Sequence, residues 1–343
     1  MEIGILGLPQ SGKSTLFEIM TGIKSREMHG EQFVRGIAPV PDRRFDRLVE
    51  IYQPAKITPA KVPFVDVNAS GEKAWNAVRQ NMGSADGFIH IIDGFTTGHV
   101  GEIAEQYRKL TDDLILADLI MVENRMERIR KVPRKSMKPL ETLQLELMPK
   151  IHGHLEQGRV IRELQFTEDE WKSLRSFSFW TIRPELIVVN VGEDHLRDFD
   201  AVGEEIPARS PVVVISCQVE SEIMGLSEAE QREFLSSLDI AEPAYQKIIR
   251  QSFLLLGCMS YFTVGEDEVK AWVVPEGVKA PQAAGVIHKD FERGFIKAEV
   301  VGYEDFMNCG GSMVQAKAAG KIRLEGKEYV VQDGDIISFR FNV

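Results

Sequence analysis

Gly7-Leu8-Pro9-Gln10-Ser11-Gly12-Lys13-Ser14 constrains this chain more than any other stretch. It fits the phosphate-loop pattern G-x-x-x-x-G-K-[ST] in full. Its context is also right. Met1 to Leu6 reads as a short buried strand, with Ile3, Ile5 and Leu6 apolar. Ser14 to Thr21 opens a helix whose core face is Leu16, Phe17, Ile19 and Met20. The glycines let successive backbone N–H groups point inward and cradle phosphates. The helix that follows adds its partial positive end. Gly7, Pro9, Gln10, Ser11, Gly12, Lys13, Ser14 and Thr15 are therefore the candidate phosphate contacts. In this pattern Lys13 reaches the β- and γ-phosphates and the Ser14 hydroxyl ligates Mg²⁺. The bland alternative is a Gly-rich strand–helix turn that binds nothing; the full match and its flanks weigh against it.

The bulk properties exclude several classes. With 343 residues the chain has room for two or three domains and a sizeable core. A net charge of −11 argues against general affinity for nucleic acid, DNA included, or an anionic membrane, while leaving room for a local basic patch. Cys217, Cys258 and Cys309 lie far apart with no C-x-x-C pair, so neither a disulfide framework nor a zinc site is expected. Glu2 stands where a secretory leader would be basic. No apolar run approaches the roughly 18 residues of a membrane span. The expectation is a cytoplasmic monomer.

The rest of the chain reads as an interrupted parallel α/β domain followed by a smaller module. Lys24 to Phe33 is polar, in the place of a first switch loop. Asp42 opens an amphipathic helix through Phe45, Leu48, Val49 and Tyr52. Phe64 to Val67 is a strand carrying Asp66, which would hold Mg²⁺ through a water, unless it simply ends the strand. A helix from Glu72 to about Met82 and a strand from Gly87 to Ile92 follow, favouring a mostly parallel sheet. Ile103 to Arg130 and Leu140 to about Gln157 form two helices of a hairpin or coiled coil, broken at Val132-Pro133. Its loop end gathers Arg128, Arg130, Lys131, Arg134, Lys135 and Lys138, either a solvated helix end or a contact for RNA phosphates. Thr167-x-x-Glu170 and Ser227-x-x-Glu230 are capping boxes. Strands at Leu186–Asn190 and Val212–Ser216 resume the sheet, and Ala244 to Leu256 is its last helix. Beyond Met259 come strands at 260–264 and 269–274, a helix at 283–291, and strands at 296–301, 321–324, 329–331 and 336–341. That order fits a compact α+β module of the ubiquitin-like kind. The lone His288 there reads as structural.

The phosphate loop, Asn190-x-x-Glu193 after a later strand, the helical insertion and the C-terminal segment together resemble the YchF-type Obg-like ATPases. Tyr261-Phe262-Thr263, Ala280-Pro281-Gln282-Ala283-Ala284-Gly285, Gly294-Phe295-Ile296 and the Asp333-Gly334-Asp335 to Val343 ending are similar to that family's TGS domain. The resemblance implies a nucleotide domain over 1–107 and 179–257, a hairpin over 108–178 and a TGS domain over 258–343. It also implies Mg²⁺, slow ATP hydrolysis and ribosome association. Guanine-specific relatives carry Asn-Lys-x-Asp, whose carboxylate takes two hydrogen bonds from guanine. Here Asn190-Val191-Gly192-Glu193 lacks the Lys and lengthens the acid, and a misplaced carboxylate leaves polar groups unpaired at about 1–3 kcal/mol. ATP is therefore expected over GTP, with Asn190, Val191, Glu193, Cys217 and Gln218 around the base. The chain departs from the family pattern at Ala69, where a second-switch Gly is usual, at Gly30, which aligns near the first-switch Thr, and at Gln10, where cation-dependent relatives carry Asn, which leaves acceleration by K⁺ open. Three readings stay open: a slow ATPase switch on the ribosome, a non-hydrolysing nucleotide-sensing adaptor, and a GTPase.

Overall fold

A computed structural model describes residues 1–24, 33–67, 83–96, 100–196, 206, 209–237, 240 and 242–342. The expected helix at 72–82, the polar switch segment and positions 30 and 69 lie outside the described residues. Contacts divide the chain into two compact units, residues 1–36 with 63–248 and residues 37–62 with 249–343.

The first unit is built on a six-stranded sheet in the order β2-β4-β1-β5-β6-β7. These strands are β1 (Ile3–Leu6), β2 (Phe33–Pro39), β4 (Lys61–Val67), β5 (Gly87–Gly94), β6 (Glu185–Val191) and β7 (Val212–Ile215). β1 pairs in parallel with both β4 and β5, and β5–β6 and β6–β7 are parallel too. Strands buried on both faces are continuously apolar: Ile3, Ile5, Ile89, Ile187, Val188 and Val189 are all without solvent exposure. The sequence gives no sign of β2, because its inward positions are small (Gly36 and Ala38 beside Val34) while Ile37 points out.

α1 (Lys13–Thr21) follows β1 directly. α3 (Val100–Arg130) runs on without a break at the expected domain limit. Its first half lays Ile103, Tyr107, Leu110 and Leu114 on the sheet. Further along, Ile115 and Val122 pack with Leu147, Met148, Ile151 and Leu155 of α4 (Pro139–Leu155). Buried Asp118 fixes this hairpin: it accepts from the backbone N–H of Trp180 and Thr181, each at 2.8 Å, and from the Thr181 hydroxyl at 2.7 Å. Burial nonetheless raises its pKa to about 6. α5 (Glu168–Leu174) opens with the anticipated Thr167–Glu170 box. α6 (Cys217–Met224), α7 (Glu228–Ser237) and α8 (Ala244–Leu255) complete the helices up to Leu255.

The second unit holds a mixed sheet in the order β11-β10-β12-β8-β9-β3. β8 (Cys258–Thr263) and β9 (Glu268–Pro275) are antiparallel, and β12 (Asp335–Phe341) lies parallel to β8. β10 (Phe295–Gly302) and β11 (Arg323–Glu325) extend one side. The other edge is β3 (Lys56–Thr58), parallel to β9. Residues 37–62, assigned from sequence to the nucleotide domain, thus group with the C-terminal unit. α2 (Arg43–Tyr52) belongs there as well: Phe45 meets Phe262, Tyr52 stacks on Phe306, and Arg44 bonds Asp333 at 2.8 Å.

Two details of this unit differ from the sequence reading. The helix expected at 283–291 is two, α9 (Ala280–Ile287) and α10 (Lys289–Arg293), broken at extended His288, whose Nδ1 accepts from Asp290 N–H. Residues 329–331 form no strand; they meet the irregular 278–280 segment through Ala280 N to Tyr329 O, Val331 N to Val278 O and one bridge. Short helices α11 (Tyr303–Asn308) and α12 (Met313–Ala318) were not signalled by any long periodicity.

Candidate nucleotide site

β1 has neighbours on both sides, so the loop leaving its carboxyl end opens at a topological switch point of the sheet. There the chain turns sharply. Gln10 (φ 67°) and Gly12 (φ 99°) both take left-handed backbone conformations. A Cβ on Gly12 would meet Asn190 Nδ2 at 2.6 Å, and one on Gly7 would meet the Ile91 carbonyl at 2.5 Å. Only glycine fits either position. α1 then starts without a side-chain cap and without an acid in its first turn. Its leading N–H groups and dipole thus meet no capping side chain or first-turn carboxylate of the protein, an arrangement suited to an anion.

Asn190, at the end of β6, ties the loop to the neighbouring strand end. Its Nδ2 donates to Ser11 O at 3.2 Å and its Oδ1 accepts from Cys217 N–H at 3.0 Å. α6 begins at that point, with Ser216 as its cap. Gln10, Gly12, Lys13, Ser14 and Thr15 from the loop, and Asn190, Cys217 and Gln218 from the strand ends, consequently line one cavity of about 380 Å³. All eight are among the candidate contacts named from sequence. Sequence reading missed Phe95 and Ser221, which complete the lining. Phe95 is 55% exposed at the end of a buried strand, an aromatic in a place that packing does not require. Ser221 follows Cys217 by one helical turn and donates to its carbonyl at 2.8 Å.

Other expected residues stand elsewhere. The Ser11 side chain is buried and Pro9 is exposed outside the lining. Val191 is fully buried in the core with Ile92 and Ile187, outside the lining. Glu193 is exposed and lines a different cavity with Asp194, Ser216 and Glu220. The side chain expected to read the base therefore does not enter the phosphate-loop cavity, because the chain turns into a short 3-10 helix at Glu193–His195 directly after β6.

The electrostatics follow from burial. Lys13 donates to Gly7 O at 3.1 Å and Leu8 O at 2.7 Å. Burial lowers its pKa, and the charge of fully buried Asp66, near the end of β4, acts the other way. Burial pushes the Cys217 thiol up to about 12, so it stays protonated as a wall of the cavity. At the end of the hairpin all six basic residues are exposed. Among the described residues only Lys131 of these forms an ion pair, with Glu127 at 2.7 Å.

The family model "YchF-GTPase_C: Protein of unknown function (DUF933)" matches residues 258–342. A Bacillus subtilis (strain 168) protein described as "Ribosome-binding ATPase YchF" is 38% identical over 366 residues, covering 99% of each chain. The Haemophilus influenzae protein of the same description is 39% identical over 360 residues, again covering 99% of each. "Obg-like ATPase 1" of Oryza sativa subsp. japonica is 34% identical, covering all of this chain and 92% of that protein. Among solved structures, "Structure of the Schizosaccharomyces pombe YchF GTPase" aligns with a TM-score of 0.84 at 27% identity, over 99% of this chain and 97% of that one. The parallel sheet and its glycine-bounded loop are those of an Obg-like phosphate-loop NTPase. Similar along its full length to the bacterial proteins, the chain belongs to the YchF family.

Proposed function

We propose that this chain is a Mg²⁺-dependent ATP-binding protein that hydrolyses ATP slowly and acts as a switch on the ribosome. The observation that carries the nucleotide reading is the Asn190 strut, which brings the phosphate loop and the carboxyl ends of β6 and β7 around one cavity. The uncapped start of α1 and the glycine cradle fit a polyphosphate. Ser14 at that cavity and Asp66 at the strand end beside β1 are the residues that would hold Mg²⁺, Asp66 through a water. The ion, when bound, neutralises charge on the phosphates. Lys13 already sits with its ammonium at the loop carbonyls and would add a fixed positive charge.

Support for adenine comes from the described lining itself, which includes no Asp or Glu. The donor edge of guanine would find no carboxylate there, whereas the amide of Gln218 offers both a donor and an acceptor. The bacterial relatives are described as ATPases and the fission-yeast protein as a GTPase, so the base is a matter for measurement. Calorimetric titration with a non-hydrolysable ATP analogue and its GTP counterpart, on the wild-type chain and on Lys13→Ala, tests the reading. Tighter ATP binding that the variant loses is expected; tighter GTP binding removes the adenine assignment. Phosphate release under multiple turnover then separates a slow ATPase from the non-hydrolysing adaptor.

Ribosome association draws on the descriptions of the bacterial relatives and on the exposed basic end of the hairpin. Arg130, Lys131, Arg134 and Lys135 changed together to Glu should abolish co-sedimentation with ribosomes at low salt. Unchanged sedimentation would remove the hairpin end from the account.

A further inference from the structure

A second cavity, of about 670 Å³, lies where the first turns of α3, the segment after α4 and the start of β6 meet. It shares no lining residue with the phosphate-loop cavity. Arg108, Arg159 and Arg209, distant in sequence, are gathered there by the fold. All three are exposed, and among the described residues none makes a side-chain hydrogen bond or ion pair.

The floor is the opposite, a closed and buried network. Glu185 is 4% exposed. It accepts from the Tyr107 hydroxyl at 2.9 Å, from the Ser210 hydroxyl at 3.1 Å and from the Arg162 guanidinium. Arg162 also donates to the carbonyls of Thr181 and Arg183. Of the remaining acids in the lining, Glu163 turns to His154 at 3.7 Å, leaving Asp112. The Thr111 hydroxyl, beside the Tyr107 phenol, is buried with no hydrogen-bond partner of ordinary geometry among the described residues.

Arg162 neutralises Glu185 on the floor, and Arg108, Arg159 and Arg209 outnumber Asp112 and Glu163 at the rim, which leaves the lining with an excess of one positive charge in a chain of net charge −11. The planar fork of arginine matches phosphate oxygens two at a time. The volume is that of a small-molecule pocket, within the usual span of about 300–1,000 Å³. We propose that this cavity binds a small ligand bearing two or more phosphate groups, at the root of the helical hairpin. Its lining joins α3 to the returning chain at 158–165, so an occupant would brace the hairpin where it leaves the sheet.

The test is calorimetric titration of tripolyphosphate, without Mg²⁺, into the full chain carrying Lys13→Ala, which weakens the competing phosphate-loop contact. Binding that persists there, and weakens about tenfold or more when Arg108→Ala and Arg159→Ala are added, is the expected result. Arg209→Glu provides a second route to the same loss, with thermal unfolding midpoints checking that each variant folds. Binding absent from the Lys13→Ala chain, or indifferent to the arginines, overturns the proposal. So does a result in which the arginine changes weaken a short RNA but not tripolyphosphate, which would make the rim a nucleic-acid contact.

Discussion

At residue scale, single side chains in this molecule tie distant segments together. Asn190 is the clearest case: without its amide, Ser11 O and Cys217 N–H lose their partner beside the cavity. Each orphaned group costs about 1–3 kcal/mol, so Asn190→Ala should weaken ATP binding by about tenfold or more in calorimetry. Glu193→Ala should leave ATP binding and the ATP-to-GTP ratio unchanged, since that carboxylate lines another cavity. His90 has a different consequence. Burial is the largest influence on it, and the neighbouring Arg162 charge acts in the same direction against the pull of Glu185; its pKa falls to about 4. The unfolded chain, with an ordinary histidine near 6.5, binds the proton first. Stability from this group is therefore full above pH 6.5 and lost as pH falls toward about 4. Denaturant titrations of wild type and His90→Asn should differ in that window by at most about 3 kcal/mol; parallel pH profiles would show that His90 does not set it.

At the scale of elements, the hairpin is anchored by chemistry as well as by its apolar seam. Asp118, midway along α3, receives three hydrogen bonds from Trp180 and Thr181, two of them from backbone N–H groups. Asp118→Ala strands those groups in the core. It should lower stability by about 3 kcal/mol in denaturant unfolding, while Asp118→Asn, which keeps one acceptor, costs less. The two helical runs that carry the apolar seam of Ile115, Val122, Leu147, Met148 and Ile151 were legible as helices, though of those five positions only Val122 stood out beforehand. Asp118 was not legible, because an acid within a charged helix looks like every other solvated acid until the partner segment, some sixty residues away, is placed against it.

At the scale of the molecule, the chain does not fill its units in sequence order. Residues 37–62 give the C-terminal unit an edge strand and a helix: β3 pairs with β9, Lys56 reaches Glu268 at 2.9 Å, and Arg44 joins Asp42 to Asp333. A fragment spanning only 258–342, the segment matched by the family model, lacks these partners. It should unfold at a lower temperature than one in which 37–62 is joined to it, with Phe262 and Phe306 deprived of Phe45 and Tyr52. Equal midpoints by circular dichroism would show that the N-terminal segment adds nothing.

The sequence by itself determined the phosphate loop, the strand and helix that flank it and the two helices of the hairpin. Each of these is written in local periodicity or in glycines whose conformations no other residue adopts. Only tertiary structure decided which strand ends meet. Phe95 enters the nucleotide cavity and Glu193 leaves it because β5 and β6 align Asp93 with Asn190 and the chain turns immediately afterwards. Arg108, Arg159 and Arg209 converge for the same reason: sheet order brings three separate segments together, and residue spacing along the chain carries no record of that order.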